Sequence, residues 1–227
     1  MVAIALVTLL TGCNPRTRLE VHYLPGFVAG SQNVFRPVRI GVPPTTGNFG
    51  APDSEAGTIY TADGSAQAQL MVADAARTFN DALIKGLGEA GLVPVPMDSN
   101  ADGGRPPEGT DFILTSELDQ LEVNKRFGSN QTIHGQYFTM NAVVRVKYRL
   151  QSRAGAIAYS GEISGIENEP PNPVGAEVFL PLETEPAESL SVALSRAVGL
   201  LMVQPGFRAA LPMRSVEATP AQQSPRH

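Results

Sequence analysis

The segment Gly86 to Gly91 (GLGEAG) has the glycine spacing of a dinucleotide-binding loop. In such a loop the glycines follow a strand and open a helix, so that the helix N-terminus faces the phosphates of the cofactor. Here Phe79, Leu83 and Leu87 recur at four-residue steps, which places the glycines at the end of a helix. A helix C-terminus presents carbonyl oxygens, and these repel an anion. We therefore expect no nucleotide site and no cofactor.

Glu117 and Asp119 are a second candidate, because two carboxylates on one strand face can act as general acid and base. The next long strand carries Arg145, Lys147 and Arg149 at alternate positions. If the two strands pair in antiparallel fashion, these acids and bases form a cross-strand charge ladder. We favour this structural interpretation over acid–base catalysis.

Other catalytic and binding chemistries find no support. Cys13 is the only cysteine, and the 3 histidines, His22, His134 and His227, are far apart, so no metal-ligand spacing exists. Neither G-x-S-x-G nor S-x-x-K, two serine-nucleophile motifs, occurs. The net charge is −5, and basic residues are not clustered, which argues against nucleic acid. We expect a protein that is not an enzyme and holds no metal.

The start of the chain has the form of a signal peptide. Met1 to Leu10 (MVAIALVTLL) is apolar and uncharged, too short to cross a membrane but as long as the apolar region of a signal sequence. Leu10 to Cys13 (LTGC) resembles the lipobox of bacterial lipoproteins. That resemblance implies cleavage between Gly12 and Cys13 and a diacylglycerol on the Cys13 thiol. It also implies residues 1–12 as the signal peptide.

One feature departs from this pattern, since no Lys or Arg precedes Cys13 although signal peptides open with a basic segment. We expect that a mis-assigned start codon has removed it. The alternative is that residues 1–10 form a buried strand of a cytoplasmic protein. A lone cysteine at this position favours the lipoprotein, because lipidation explains it. Asn14 follows instead of the aspartate of inner-membrane lipoproteins, so the resemblance favours the outer membrane.

Hydrophobic periodicity predicts the elements that would position these residues. Strands are predicted over 34–42, 111–123, 137–151 and 156–166, with a short edge strand at best over 92–97. Helices are predicted over 66–90, ended by Gly91, and from Thr184 to about Leu201. Loops or connections are predicted over 43–65, 98–109, 124–136 and 169–181.

These elements predict the α+β class, with an antiparallel sheet of four to five strands and both helices packed on one face. Residues 13–33 are expected to be the lipidated N-terminus and a tether to the fold. Residues 34–211 would be a single α+β domain, and residues 212–227 a mobile C-terminal tail.

Three segments resemble the YajG-like bacterial lipoproteins: Gly57 to Thr61 (GTIYT), Val72 to Val93 (VADAARTFNDALIKGLGEAGLV) and Tyr159 to Gly165 (YSGEISG). The wider group includes auxiliary lipoproteins of envelope transporters and domains of the LpoB and CsgG type. The resemblance covers about residues 34–203 and implies an envelope lipoprotein without known catalysis. It does not identify one partner, because members of the group serve different machines.

Aromatic and apolar residues in polar loops are the remaining candidates for contact with a partner. They are Phe49, Tyr60, Phe127, Ile133 and Tyr137. The alternative, which the sequence leaves open, is that they cover sheet edges as local core.

The expected function is that of a lipid-anchored docking or assembly subunit of a cell-envelope complex. It would be held to the membrane by its acyl chains, on the periplasmic face of the outer membrane, and would bind an envelope protein. The alternative is a small-ligand or cell-wall binding module. A well-formed pocket would favour the module, and an apolar patch on an edge would favour docking.

Overall fold

The structure is a computed structural model, and it describes residues 15–28, 37–49, 51–97, 107–130, 135–173 and 184–212. The strands are β1 (Arg16–Leu19), β2 (Arg39–Val42), β3 (Thr46–Gly47), β4 (Asp53–Tyr60), β5 (Ala66–Ala73), β6 (Val93–Pro96), β7 (Phe112–Asn130), β8 (Gly135–Ser152) and β9 (Ile157–Pro173). The helices are α1 (Ala75–Glu89), α2 (Thr184–Val203) and α3 (Pro205–Ala210).

All these strands belong to one sheet, in which β7 is the central member. Along one edge β7 pairs in parallel with three short strands in turn, first β2, then β3, then β4. β6 lies on the other side of β2, and β5 followed by β1 lies on the other side of β4. On its other side β7 pairs antiparallel with β8, and β8 pairs with β9. The predicted α+β class is confirmed, but the sheet has 9 strands and mixed pairing, so four to five antiparallel strands was an underestimate.

Strand β8 shows how the sequence produces a sheet with one buried face. Its even-numbered positions are buried and apolar from Phe138 to Leu150, whereas the odd positions between them are half-buried or exposed. Alternation of this kind places one row of side chains in the core and the other in solvent. The chain then turns at Gly155, whose φ of 85° favours glycine, and returns as β9. The strands predicted over 137–151 and 156–166 are confirmed, and they form an antiparallel hairpin.

Helices α1 and α2 both pack on the buried face of the sheet, as predicted. The ring of Phe79 on α1 lies 6.3 Å from that of Tyr148 on β8. Gly165 on β9 lies directly opposite Val144 of β8, and its missing side chain leaves room for the backbone of α2 at Ala193. Gly86 of α1 gives the same close approach to Val198 of α2, so small residues determine how near these layers come.

Helix α2 has the length and composition of a membrane-spanning helix over Glu185–Val203, with a mean hydropathy of 1.3. In the fold 67% of that stretch is buried. Its apolar residues therefore serve the core of this domain, between the sheet, α1 and the N-terminal segment.

Residues 66–73 were predicted as the first turns of a helix and are instead strand β5. Ala68, Leu70 and Val72 are buried at every second position, and pairing with β4 and β1 supplies their backbone partners. Asp74, with a φ of 42°, then separates the strand from α1. The helix was extended too far because Val72 also falls in step with Phe79 and Leu83, so both periods fit at the junction.

Three predicted loops contain strands. β3 and β4 lie within 43–65, the ends of β7 and β8 occupy most of 124–136, and β9 continues to Pro173, into the stretch predicted as proline-rich loop. These segments lack apolar alternation because they are polar or glycine-rich, and their order comes from pairing with neighbouring strands. α3, after α2, was not predicted.

The segment predicted as a tether is part of the fold over residues 15–28. β1 pairs in parallel with β5, and Leu19, Tyr23 and Val28 are buried. Tyr23 donates a hydrogen bond to the Glu89 carboxylate at 2.9 Å. The pKa of the Tyr23 hydroxyl is raised mainly by burial and, to a lesser extent, by this hydrogen bond. The sequence predicts a linker here because the segment is polar and its few apolar residues are too widely spaced to give a periodic signal. Residues 1–14 and the predicted tail from 213 onward lie outside the described residues.

We expect Gly165→Ala to lower the free energy of unfolding by about 1 to 3 kcal/mol, because the added methyl would force α2 away from β9. Gly88→Ala is the matched control, since nothing lies within 4 Å of a methyl placed at this exposed helical position. It should stabilise the protein by about 0.5 to 1 kcal/mol through helix propensity. Urea denaturation measures both, and equal effects would contradict the close approach of α2.

Candidate interaction surfaces

The predicted contact residues whose side chains the structure describes are Phe49, Tyr60 and Phe127. Tyr60 ends β4 and Phe127 lies near the end of β7, and the register Tyr60 to Arg126 brings them to the same end of the sheet. The Arg126 guanidinium lies 5.3 Å from the centre of the Tyr60 ring. Phe49 follows β3, half-buried against the core, as Phe127 also is. Ile133 and the side chain of Tyr137 lie outside the described residues, as do Gly12 and Cys13.

A buried ion pair joins β7 to the start of α2. Lys125 on β7 has a side chain that is 7% exposed, and it pairs with Glu185, which is 15% exposed and lies in the first turn of α2. The Lys125 ammonium also lies 4.2 Å from the centre of the Phe138 ring and 5.1 Å from that of Phe127. A carboxylate in the first turn is further favoured by the helix dipole. The pair therefore holds α2 to the sheet. In the sequence Lys125 alternates with Val123 and Phe127, and this signal of a buried position was missed because residues 124–136 were predicted to be a connection.

The predicted charge ladder is confirmed on the open face of the sheet. Glu117 lies opposite Lys147 in the register of β7 and β8. The Lys147 ammonium is 3.1 Å from Asp119 and 4.0 Å from Glu117, and the hydrogen bond to Asp119 raises the pKa of Lys147. Arg145 lies 3.4 Å from Glu162 on β9. These carboxylates are bound to cations on an exposed surface and are not placed as an acid–base pair.

Three of the clefts lined by described residues are open to solvent. One of about 420 Å³ lies over the charge ladder, one of about 710 Å³ lies along the line where the segment Arg18 to Leu24 meets α2, and one of about 350 Å³ is lined by Phe49 and Tyr60. The last cleft lies along β7 between the residues that pair with β3 and those that pair with β4. It is next to a bulge between Leu118 and Gln120. Within the described residues no group of three metal-ligating side chains converges.

Strand β9 leaves one edge without a neighbour. Among the described strands it pairs only with β8. The Ile166 carbonyl accepts a hydrogen bond from Arg196 of α2, so Ile166 directs its backbone groups away from β8. Because these directions alternate along a strand, the even-numbered residues from Ser160 to Asn168 share this orientation. Their N–H and C=O groups form a row along the outer edge.

An apolar stripe on α2 runs beside this edge. Leu200 and Val203 follow Arg196 at the four- and seven-residue spacing of one helix face, and their exposed fractions are 36% and 44%. Ile166, on the open face of β9, is 43% exposed. We call the outer edge of residues 160–168, together with Leu200 and Val203, the β9 edge surface. The sequence did not predict it, because exposed and buried positions of so apolar a helix look alike.

No family model matches the chain, and no curated protein matches its sequence. Solved structures with distant similarity include a Xanthomonas campestris protein of the DUF330 family, at 11% identity and a TM-score of 0.46 over 82% of this chain and 91% of that one. A neuraminyllactose-binding hemagglutinin homologue from Helicobacter pylori has 9% identity and a TM-score of 0.46, with 85% and 95% covered. A lipoprotein from Neisseria meningitidis has 20% identity and a TM-score of 0.31, with 59% and 85% covered. At this distance the similarities carry no argument about function.

We expect Lys125→Met to lower the free energy of unfolding by about 3 kcal/mol, because it leaves the Glu185 carboxylate in a poorly hydrated site without its ammonium partner. The double variant Lys125→Met/Glu185→Gln should recover part of that loss, since it buries no charge. Lys147→Met is the control on the exposed ladder and should cost less than about 1 kcal/mol. Thermal and urea unfolding distinguish the three proteins. A loss for Lys125→Met as small as that for Lys147→Met would contradict a structural role for the buried pair.

Proposed function

We propose that this protein is a lipid-anchored subunit of a cell-envelope complex, facing the periplasm, and that it docks an envelope protein through the β9 edge surface. The observation that carries this proposal is the outer edge of the long strand β9, which pairs with no further strand among the described residues and lies beside an exposed apolar helix stripe. A partner strand added at this edge would gain main-chain hydrogen bonds from β9 and apolar contacts from Leu200 and Val203.

The other strands at the margins of the sheet are protected in ways that β9 is not. β1 has only 4 residues, and β6 carries Pro94 and Pro96, which cannot donate to a further strand. β9 has 17 residues and, from Ile157 to Asn168, no proline. An edge this long is a hazard for aggregation unless something covers it, and a dedicated partner would do so.

The clefts give less support to catalysis or to the binding of a small ligand than the β9 edge surface gives to docking. The cleft over the ladder is lined by charges that already neutralise one another, and each of the three is open to water. The alternative function, a small-ligand or cell-wall binding module, would use the cleft between His22 and Val192, whose volume of about 710 Å³ suits a small molecule. Two of its polar lining groups are already bound, Arg18 to Asp53 and the Ser191 hydroxyl to the His22 amide, and this is why docking is preferred.

The anchor itself is proposed from the sequence. The resemblance of LTGC to a lipobox and the resemblance to YajG-like lipoproteins both imply an acylated Cys13, and Asn14 favours the periplasmic face of the outer membrane. Two or three acyl chains would make the attachment durable, because each buried methylene contributes about 0.8 kcal/mol.

In a Gram-negative host, with a basic segment added before Met1, we expect a mature species that begins at an acylated Cys13. Intact-mass measurement of the membrane fraction would show the added chains. Cys13→Ala should remain unprocessed, because the enzymes that acylate and cut need the thiol. An unprocessed chain outside the membrane for both proteins would refute the anchor.

In its native cells, we expect a photo-reactive amino acid at Ser160 or Leu200 to cross-link the protein to a partner. Asp81, exposed on α1 away from β9, is the control position and should give no such adduct. Ser164→Pro removes an N–H from the outer edge without touching the pairing to β8, so it should abolish both adducts.

Ser164→Ala is the matched variant, because it loses the same hydroxyl, including its contact with Arg145 at 3.4 Å, but keeps the N–H. It should cross-link as the unmodified protein does. No adduct at either position, or adducts that survive Ser164→Pro, would overturn docking at this edge while leaving the lipid anchor untouched.

A further inference from the structure

The distance between the proposed anchor and the fold is short. Arg16 is the first residue of β1 and is only three positions after Cys13. Three residues of any conformation span at most about 10 Å. The acylation of Cys13 is part of the proposed function, and this inference rests on it. The acylated residue would therefore lie close to one end of the sheet, and no long tether would separate the domain from the bilayer.

The register of the sheet identifies which end this is. Arg16 lies beside Gln69, Gln69 beside Thr58, and Thr58 beside Asn124. From this level β7 runs on to Asn130 in the direction that β1 takes from Leu19 back to Arg16. This follows because β1 is parallel to β5, β5 is antiparallel to β4, and β4 is parallel to β7.

β7 reaches farther in this direction than the anchor can. Asn130 is six residues beyond Asn124, which corresponds to about 20 Å of strand, twice the reach of Cys13 from Arg16. β1 and β7 are three strand spacings apart, or about 15 Å. With Cys13 at the membrane surface, an upright domain would push the end of β7 into the bilayer, so the domain must tilt until this end rests on the surface.

From this geometry we infer that the end of the sheet formed by Tyr60, Arg126 and Phe127 contacts the phospholipid headgroups of the membrane that holds the acyl chains. Its chemistry suits that layer. Arg126 and Arg16 are exposed cations that phosphate groups can bind, and Tyr60 and Phe127 are half-buried aromatics of the kind that lie at membrane interfaces.

Acidic groups also lie at this end. Glu169 is level with Lys125 across β8 and accepts a hydrogen bond from the Ser189 hydroxyl at 2.8 Å. Asp63, in the turn between β4 and β5, accepts hydrogen bonds from the Thr61 hydroxyl and the Ser65 amide, and these lower its pKa to about 2. It therefore stays ionised and hydrated, which limits this end to the headgroup layer. The Glu185 carboxylate is already bound to Lys125 and does not oppose the contact.

A tryptophan reporter tests the contact, because the chain contains no tryptophan of its own and a single cysteine. The mature chain from Cys13 is coupled through this thiol to maleimide-bearing lipid in vesicles of phosphatidylethanolamine and phosphatidylglycerol, with or without brominated phosphatidylcholine. Phe127→Trp should lose about half of its fluorescence to the brominated lipid. Ile157→Trp, 58% exposed at the opposite end of β9, is the matched control and should keep its fluorescence.

Tyr60→Trp provides a second reporter at the same end, in case the packing of Phe127 does not tolerate the larger ring. Quenching of Phe127→Trp or Tyr60→Trp alone supports the contact, whereas equal quenching at Ile157→Trp, or none at either end in folded protein, overturns it. Because the chemical coupling bypasses cellular acylation, a failure here leaves the lipid anchor standing. Failure of acylation at Cys13 would appear separately, in the mass of the protein from cells.

Discussion

The antiparallel pairing of β7 with β8 is the interaction on which the rest of the structure depends. It runs from Phe112 with Ser152 to Asn130 with Gly135, and it places the buried residues of both strands in one row. The same β7 uses its other edge for β2, β3 and β4 in turn. Helices α1 and α2 then cover the apolar face that this pairing creates. A change that shifted the register by one residue would expose that face to water.

The parts of this fold that a single sequence can predict are those with one clear period. β8 alternates without ambiguity, and the hairpin with β9 follows from it and from Gly155. β5 was mistaken for helix because Val72 satisfies both periods. β1, β3 and β4 were missed because their stability comes from neighbouring strands distant in sequence, and tertiary pairing of this kind leaves little local signal.

The candidate surfaces follow the same rule. The charge ladder of Lys147 with Glu117 and Asp119 could be predicted, since it needs only two strands and their alternation. The ion pair of Lys125 with Glu185 could not, because it depends on where α2 begins relative to β7. The free edge of β9 could not be predicted either, since an edge is defined by which strand is missing beside it. Leu200 and Val203 became informative only once the covered part of α2 was known.

The place of β1 at the margin of the sheet has a mechanical consequence. A pull on the N-terminus acts along the axis of β1, so it loads the bonds between β1 and β5 in shear, and they must break together instead of one by one. The amides of His22 and Leu24, bound to Ser191 and Ser195 on α2, share the same load. Tension that enters at residue 15 is thus passed to both the sheet and its main core helix, as a force-bearing attachment requires.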